Sequence, residues 1–478
     1  MQAPQRSRTL HLYANEAELG QIHYDARRDR WSLKYAAPWA GSPHAFPVSN
    51  IFPLERHIHH SDAVRDFVDN LLPEGRALEA VSMAFQVSKG DTAGLIAKLG
   101  RDTAGALEFR EAGASIVKPP ARQRLTARDL DERSEHPDFT LYLWDEFVDY
   151  AIAGVQDKLA IHADPATGQC FVARGLTASH IVKPSPQPWF EGPLRHLVVN
   201  EFFCMQLGAA VLGSARVAPV QLLRTPSPML LVQRFDRRWR KDRESFERLH
   251  IIDGCQALNL PARMKYEQCW GHGADVAHVR DGASLEQLFT LAQGTPEPRS
   301  VQEALLDWVI FNLMIGNADA HAKNLSFLVK PTGLALAPHY DLVSTVVFPS
   351  LDSRLAMAVG DAFTFEETWH ALEWAEFAGR CGLPRQRVAS RLRALARAVP
   401  RAAHALLEET QGSVCSDEDA FLRRIVQHTE TMAAGLLRAA ARIRGVRLSD
   451  LTERVAARLA GVEAAEATKI CTSPDWRG

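Results

Sequence analysis

The sequence predicts an α+β protein of two lobes, a strand-rich small lobe and a largely helical large lobe, with an extra α+β module at the N-terminus. Three observations predict it. Asp319, Asn324 and Asp341 fall in the runs Ile315-Gly-Asn-Ala-Asp-Ala-His-Ala-Lys-Asn-Leu325 and Pro338-His-Tyr-Asp-Leu342, five and then seventeen positions apart. Between them, 325–329 and 334–337 read as two short strands about the turn Lys330-Pro-Thr-Gly333. Upstream, Lys183 ends an apolar strand, and Glu201 follows eighteen positions later on a helical face. At 478 residues the chain also exceeds one ordinary core, so it divides into two or three domains.

Composition narrows the field. With 46% hydrophobic and 23% charged residues the chain is ordinary globular material, and a net charge of −2 gives no global pull toward nucleic acid or membrane. Seven scattered cysteines with no C-x-x-C pair match neither a disulfide framework nor a zinc site, which points to a reducing cytoplasm. The N-terminal run lacks the apolar stretch of a secretory signal, and no uninterrupted apolar run is long enough to span a bilayer.

Residues 1–115 read as the N-terminal module. Alternation in 9–13 and 31–35 around the charged turn 25–29 predicts a small antiparallel sheet, and helices are expected near 61–72, 76–88 and 91–98, the last capped by Asp91. Arg56-His-Ile-His-His60 with Asp62 has metal-binding residue types but only loop spacing, and reads as surface. Residues 116–138, rich in proline and charge, read as a linker.

The small lobe is placed at 139–236. Ala153-Gly-Val-Gln-Asp-Lys158 precedes a strand at 159–162, which returns through 170–173, and Ser179-His-Ile-Val-Lys183 is a third strand. A strand lysine paired to a glutamate on the next helix is the ion pair that holds ATP phosphates in kinase small lobes. Lys183 and Glu201, on the helix 194–212, are candidates for it. Strands at 216–223 and 228–235 follow, and the second runs out where Gln233 to Phe235 would offer backbone to an adenine ring. The basic run Arg237-Arg-Trp-Arg-Lys-Asp-Arg243 reads as a solvated loop.

The large lobe is placed at 237–464, with a flexible tail at 465–478. Leu305, Val309 and Leu313 align on one face of a helix at 301–315, which breaks at Gly316 and so anchors the loop that follows. Amphipathic helices are expected at 384–395, 419–444 and 448–462. A kinase catalytic loop places a base Asp five positions before a metal-binding Asn and a second metal Asp beyond a hairpin. On that pattern Asp319 accepts the proton of a substrate hydroxyl, and Asn324 and Asp341 hold magnesium through oxygen ligands. Lys183 contacts the α and β phosphates, Lys323 is placed to reach the γ-phosphate, and His321 joins them as a candidate catalytic residue. There is no Gly-x-Gly-x-x-Gly run, so phosphate cover falls to Gly154, Gln156 and Lys158.

At these residues the chain resembles the HipA toxin kinases of bacterial toxin–antitoxin pairs. The likeness also takes in Asn70-Leu-Leu-Pro-Glu-Gly75, Leu99-Gly-Arg-Asp-Thr-Ala-Gly-Ala-Leu107, His180-Ile-Val-Lys183, Asn200-Glu201 and Arg234-Phe-Asp-Arg-Arg238. The resemblance implies a two-lobed kinase-like fold and ATP- and Mg2+-dependent serine/threonine phosphorylation of a translation component such as an aminoacyl-tRNA synthetase. It further implies a small helix-turn-helix antitoxin that tethers the kinase to operator DNA. The family's lysine, base, asparagine and metal aspartate map to Lys183, Asp319, Asn324 and Asp341, and its hinge to Gln233 and Phe235. Where the family carries an autophosphorylated serine, this chain has Ala151. A catalytically idle co-repressor subunit and a kinase of small molecules are the competing expectations.

Overall fold

The computed structural model of the chain describes residues 6–111, 121–134, 150–154, 156–163, 169–174, 177–186, 192–224, 227–240, 246–273, 275–447 and 449–450. The N-terminal module opens with β1 (Arg8–Ala14), β2 (Ala17–Asp25), β3 (Arg30–Tyr35), α1 (Ala37–Ala40) and β4 (Ile58–His60). It continues through α2 (Asp62–Asp69), α3 (Gly75–Phe85) and α4 (Thr92–Leu99) to β5 (Asp102–Thr103) and β6 (Leu107–Glu111). Five of its strands form one antiparallel sheet, β4-β3-β2-β1-β6. Leu10, Leu12, Ile22, Leu33 and Phe109 are buried, while Gln21, His23 and Lys34 face solvent, as the two-residue period of a half-buried sheet requires. Asp91 caps α4 by accepting the Gly94 N–H at 2.9 Å. In the histidine cluster, His59 is buried and hydrogen-bonds the Pro53 carbonyl.

The small lobe comprises β7 (Ala121–Leu125), α5 (Ala127–Ser134), β8 (Tyr150–Ala151), β9 (Leu159–Ala163), β10 (Cys170–Arg174), β11 (His180–Pro184), α6 (Leu197–Leu212), β12 (Val220–Arg224) and β13 (Pro228–Gln233). Six strands make its sheet in the order β12-β13-β11-β9-β10-β7. Within the stretch read as a linker, 116–138, residues 121–125 instead form β7, which pairs antiparallel with β10, and 116–120 and 135–138 lie outside the described residues. Arg122, Gln123 and Arg124 are exposed and only Leu125 is buried, so this edge strand has a linker's polar composition. β8 leaves the sheet altogether and pairs in parallel with β5 of the N-terminal module.

The large lobe begins with β14 (Arg237–Trp239), β15 (Phe246–Arg248), β16 (Ile251–Asp253) and α7 (Gly254–Ala257). Next come α8 (Leu285–Gln293), α9 (Pro298–Ile315), β17 (Ser326–Lys330), β18 (Gly333–Leu336), α10 (Ala371–Arg380), α11 (Arg385–Thr410) and α12 (Ser416–Arg442). The expected hairpin is present, with Lys330 paired to Gly333, and β16 adds a third strand that local patterning did not announce. α9 is buried on every side from Ala304 to Ile315, because α8, α11 and α12 all pack on it. Its buried Asp307 is balanced by Arg391 at 2.7 Å. α11 continues through Pro400 well past the expected stop at 395. The helix expected at 448–462 and the tail at 465–478 lie outside the described residues. Among the described residues no helix is long and apolar enough to cross a membrane.

Candidate active site

α9 ends at Gly316 with φ +74°, and a Cβ there would run into Val346 and His428, so only glycine makes this turn. The loop that follows is closed by its own amides. Asn317 Oδ1 accepts the Asp319 N–H at 3.1 Å, and Asn324 Nδ2 donates to the Asp319 carbonyl at 3.0 Å. With Nδ2 so engaged, Oδ1 is the atom of Asn324 left to ligate a cation. The Asp319 carboxylate accepts the Tyr266 hydroxyl at 2.6 Å. His321 is buried with its ring nearly perpendicular to that of Tyr266, centroids 5.1 Å apart, and burial outweighs the pull of Asp319 and lowers its pKa, favouring the neutral imidazole.

Lys183 occupies the centre of the site, 2.6 Å from Glu201 and 2.5 Å from Asp341. β11 fixes the lysine and α6 presents the glutamate, so the pair spaced eighteen apart in sequence meets in space. Burial works against an ammonium here, but the two carboxylates more than offset it and hold Lys183 charged. For Glu201, burial dominates and raises its pKa; for Asp341, the ion pair overcomes burial and holds it below the usual carboxylate range. Asp341 sits in the left-handed region at φ +58°, an unfavourable backbone for a non-glycine residue. Tyr340 beside it stacks on Phe235, ring centroids 5.6 Å apart, and donates its hydroxyl to the Lys323 carbonyl at 2.7 Å.

Lys323 departs from its expected place. Its ammonium donates to the Asn70 carbonyl at 2.9 Å and to Asp253 at 2.9 Å, so it faces the N-terminal module and not the γ-phosphate. A buried cation requires a buried anion, and Asp253 supplies it. The candidate phosphate loop is tied to its own backbone. Gly154 has φ +119°, where a Cβ would meet the Lys158 ammonium, and Lys158 donates to the Ala153 carbonyl at 2.7 Å. Gln156 Nε2 is buried without a hydrogen-bond partner among the described residues, an orphaned donor where phosphate oxygens would fit. Val155 lies outside the described residues. Ala151 is fully buried in β8. At the expected hinge the Gln233 and Arg234 N–H groups are taken by the Pro219 and Ser179 carbonyls, and Phe235 lies half-buried against Tyr340.

Three groups at or beside the site escaped sequence reasoning: Tyr266, the Lys265–Glu74 ion pair at 2.8 Å, and a buried charge network beneath the hinge. In that network Arg237 is fully buried, not solvated, and reaches Asp102 at 2.5 Å and Asp236 at 2.8 Å, while Arg234 lies 2.9 Å from Asp236 and 3.3 Å from Asp102. Opposite charges in two distant motifs were the one available signal. Among the described residues no three His, Cys, Asp or Glu side chains converge as a metal cage. An asparagine–aspartate pair still fits magnesium, which keeps water and phosphate oxygens as its other ligands.

Two family models match the chain, the HipA N-terminal domain over residues 10–110 and the HipA-like C-terminal domain over 150–403. The serine/threonine-protein kinase toxin HipA of Shewanella oneidensis is 37% identical over 396 residues, covering 82% of this chain and 88% of that protein. The Y4mE protein of Sinorhizobium fredii is 31% identical, covering 84% of this chain and 93% of its own length. Among solved structures, the Shewanella oneidensis HipA in complex with HipB and operator DNA matches with a TM-score of 0.81 at 32% identity, covering 92% of this chain and all of the other. Sequence motifs, two-lobed fold and relatives agree, and the chain belongs to the HipA family of serine/threonine protein kinases.

Proposed function

We propose that the chain is an ATP- and magnesium-dependent kinase acting in the cytoplasm as the toxin of a toxin–antitoxin module, and that it phosphorylates a component of translation such as an aminoacyl-tRNA synthetase. One observation carries the reading: Lys183 is clamped between Glu201 on α6 and Asp341 at the end of the catalytic hairpin. An ammonium locked between the buried Glu201 and the partly exposed Asp341 is poised for exchange, releasing Asp341 to a cation and turning its own charge toward phosphate oxygens. Phosphoryl transfer asks a protein for positioning and charge neutralisation, and these residues supply both.

In this reading Asp319 accepts the proton of the substrate hydroxyl, and Asn324 and Asp341 ligate magnesium. Bound magnesium neutralises the phosphates and the charge that develops on them. Gly154, Gln156, Lys158 and Lys183 receive the phosphates, and Gln233 and Phe235 flank the adenine. Lys323 and His321 act from behind the loop, shaping it without touching phosphate. The partners proposed are a small helix-turn-helix antitoxin and operator DNA reached mainly through it; the solved complex of the Shewanella relative with HipB and operator DNA supports a HipB-like antitoxin and DNA as partners. The test is induced expression of the wild type beside Asp319→Gln with phosphoproteomics of the host. Growth arrest and new phosphoserine or phosphothreonine in the wild type alone are expected; equal arrest in both strains removes the reading.

A further inference from the structure

We infer that Tyr266 is a positioning residue for the base Asp319, an inference that rests on the kinase reading above. The phenol donates to Oδ1 of Asp319 at 2.6 Å across 53 residues of sequence. Asp319 has two carboxylate oxygens, and fixing one leaves the other aimed at an incoming hydroxyl. The segment bearing Tyr266 cannot swing away easily. The Lys265 carbonyl accepts the Ala322 N–H of the catalytic loop at 3.2 Å, and the Glu267 N–H donates to the Ala356 carbonyl at 2.9 Å. Ala356 N–H in turn donates to the Ala318 carbonyl at 2.9 Å, so one edge of the Tyr266 segment is bonded directly to the catalytic loop and the other is linked to it through Ala356.

The side chain is held as firmly as the backbone. His321 lies edge-on to the phenol ring at 5.1 Å, and the Lys265 ammonium lies 5.6 Å from its centroid. Lys265 is itself tied to Glu74 of the N-terminal module at 2.8 Å. Gly282 packs so tightly on the Tyr266 carbonyl that a Cβ would overlap it. A gate that mimicked the substrate hydroxyl and had to leave before turnover would not be held at both its backbone and its ring. The geometry therefore assigns the phenol to the working site, holding the base during transfer.

The two roles predict opposite effects of one substitution. Tyr266→Phe keeps the ring, its packing on His321 and its place under Lys265, and removes only the hydroxyl. Using the full-length chain, γ-labelled ATP and casein as acceptor, kcat is expected to fall roughly 10- to 100-fold, the cost of a misaimed reacting group. KM for ATP and the melting temperature should stay at wild-type values, which a merely structural residue would not allow. An unchanged or raised kcat overturns the inference, the raised value by showing a gate. A fall in kcat accompanied by lost nucleotide binding or a lower melting temperature overturns it also. Wild-type transfer no faster than that of Asp319→Asn sinks the kinase reading and the inference together, and is distinguishable from either result.

Discussion

Lys158 shows how burial can set a pH limit on this site. It is buried, and desolvation, followed by the neighbouring charge of Lys183, brings its ammonium down from an ordinary 10.5 to about 8. The folded state therefore binds this proton less tightly than the unfolded chain. Between pH 8 and 10.5 the unfolded chain holds more protons, so this group's penalty on stability is full below pH 8 and is relieved as pH rises. Phosphate binding follows the opposite course, since only the ammonium attracts it. Affinity for a fluorescent ATP analogue should hold from pH 7 to 8 and weaken above 8, approaching tenfold per pH unit. In Lys158→Met the step should vanish and affinity stay flat; a step that survives this substitution would belong to another group.

At the scale of elements, the contact of β5 with the exit of β13 is held by charge. Asp102 and Asp236 are buried with Arg234 and Arg237, and backbone amides add to the network, Gly105 N–H to Asp236 at 2.7 Å and Ala178 N–H to Asp102 at 2.8 Å, while Arg237 Nε has no partner among the described residues. Asp102→Asn keeps the shape and leaves two buried guanidinium groups with one carboxylate. Removing one partner of such a group costs about 3–5 kcal/mol. Denaturant unfolding should show a loss of that size, while a change below about 1 kcal/mol would mean that water or rearrangement compensates. Local sequence could not disclose this element. A run such as 237–243 is ordinarily solvated, and Arg237 is buried only because Asp102 arrives from 135 residues away. Lys183 and Glu201, by contrast, were legible because a strand followed by a helix fixes where both side chains go. β7 failed for a third reason, since an edge strand needs few apolar residues and its composition imitates a linker.

For the molecule as a whole, the N-terminal module contacts both lobes beside the candidate site, and Glu74 is where it touches the two. Its N–H donates to the Gly154 carbonyl of the phosphate loop at 3.2 Å, and its carboxylate holds Lys265, one residue before Tyr266. Asn70, four residues earlier, accepts the Lys323 ammonium. The motif Asn70-Leu-Leu-Pro-Glu-Gly75 was visible in the sequence, but its task was not, because its partners lie 191 and 253 residues away. Burial alone would raise the Glu74 pKa, yet Lys323 and Lys265 hold it below its ordinary 4.5. The link it makes is thus complete above pH 4.5 and is lost as pH falls through the depressed value. Glu74→Gln breaks it at neutral pH while leaving Lys323 its bond to Asp253. A charged hydrogen bond of this kind contributes about 1.5–3 kcal/mol. If these contacts support the site, amide exchange in Glu74→Gln should quicken together at 70–75, 153–158 and 265–267, and kcat should fall with it. Faster exchange confined to 70–75, with transfer to casein unchanged, would make the module an appendage that merely rests on the kinase.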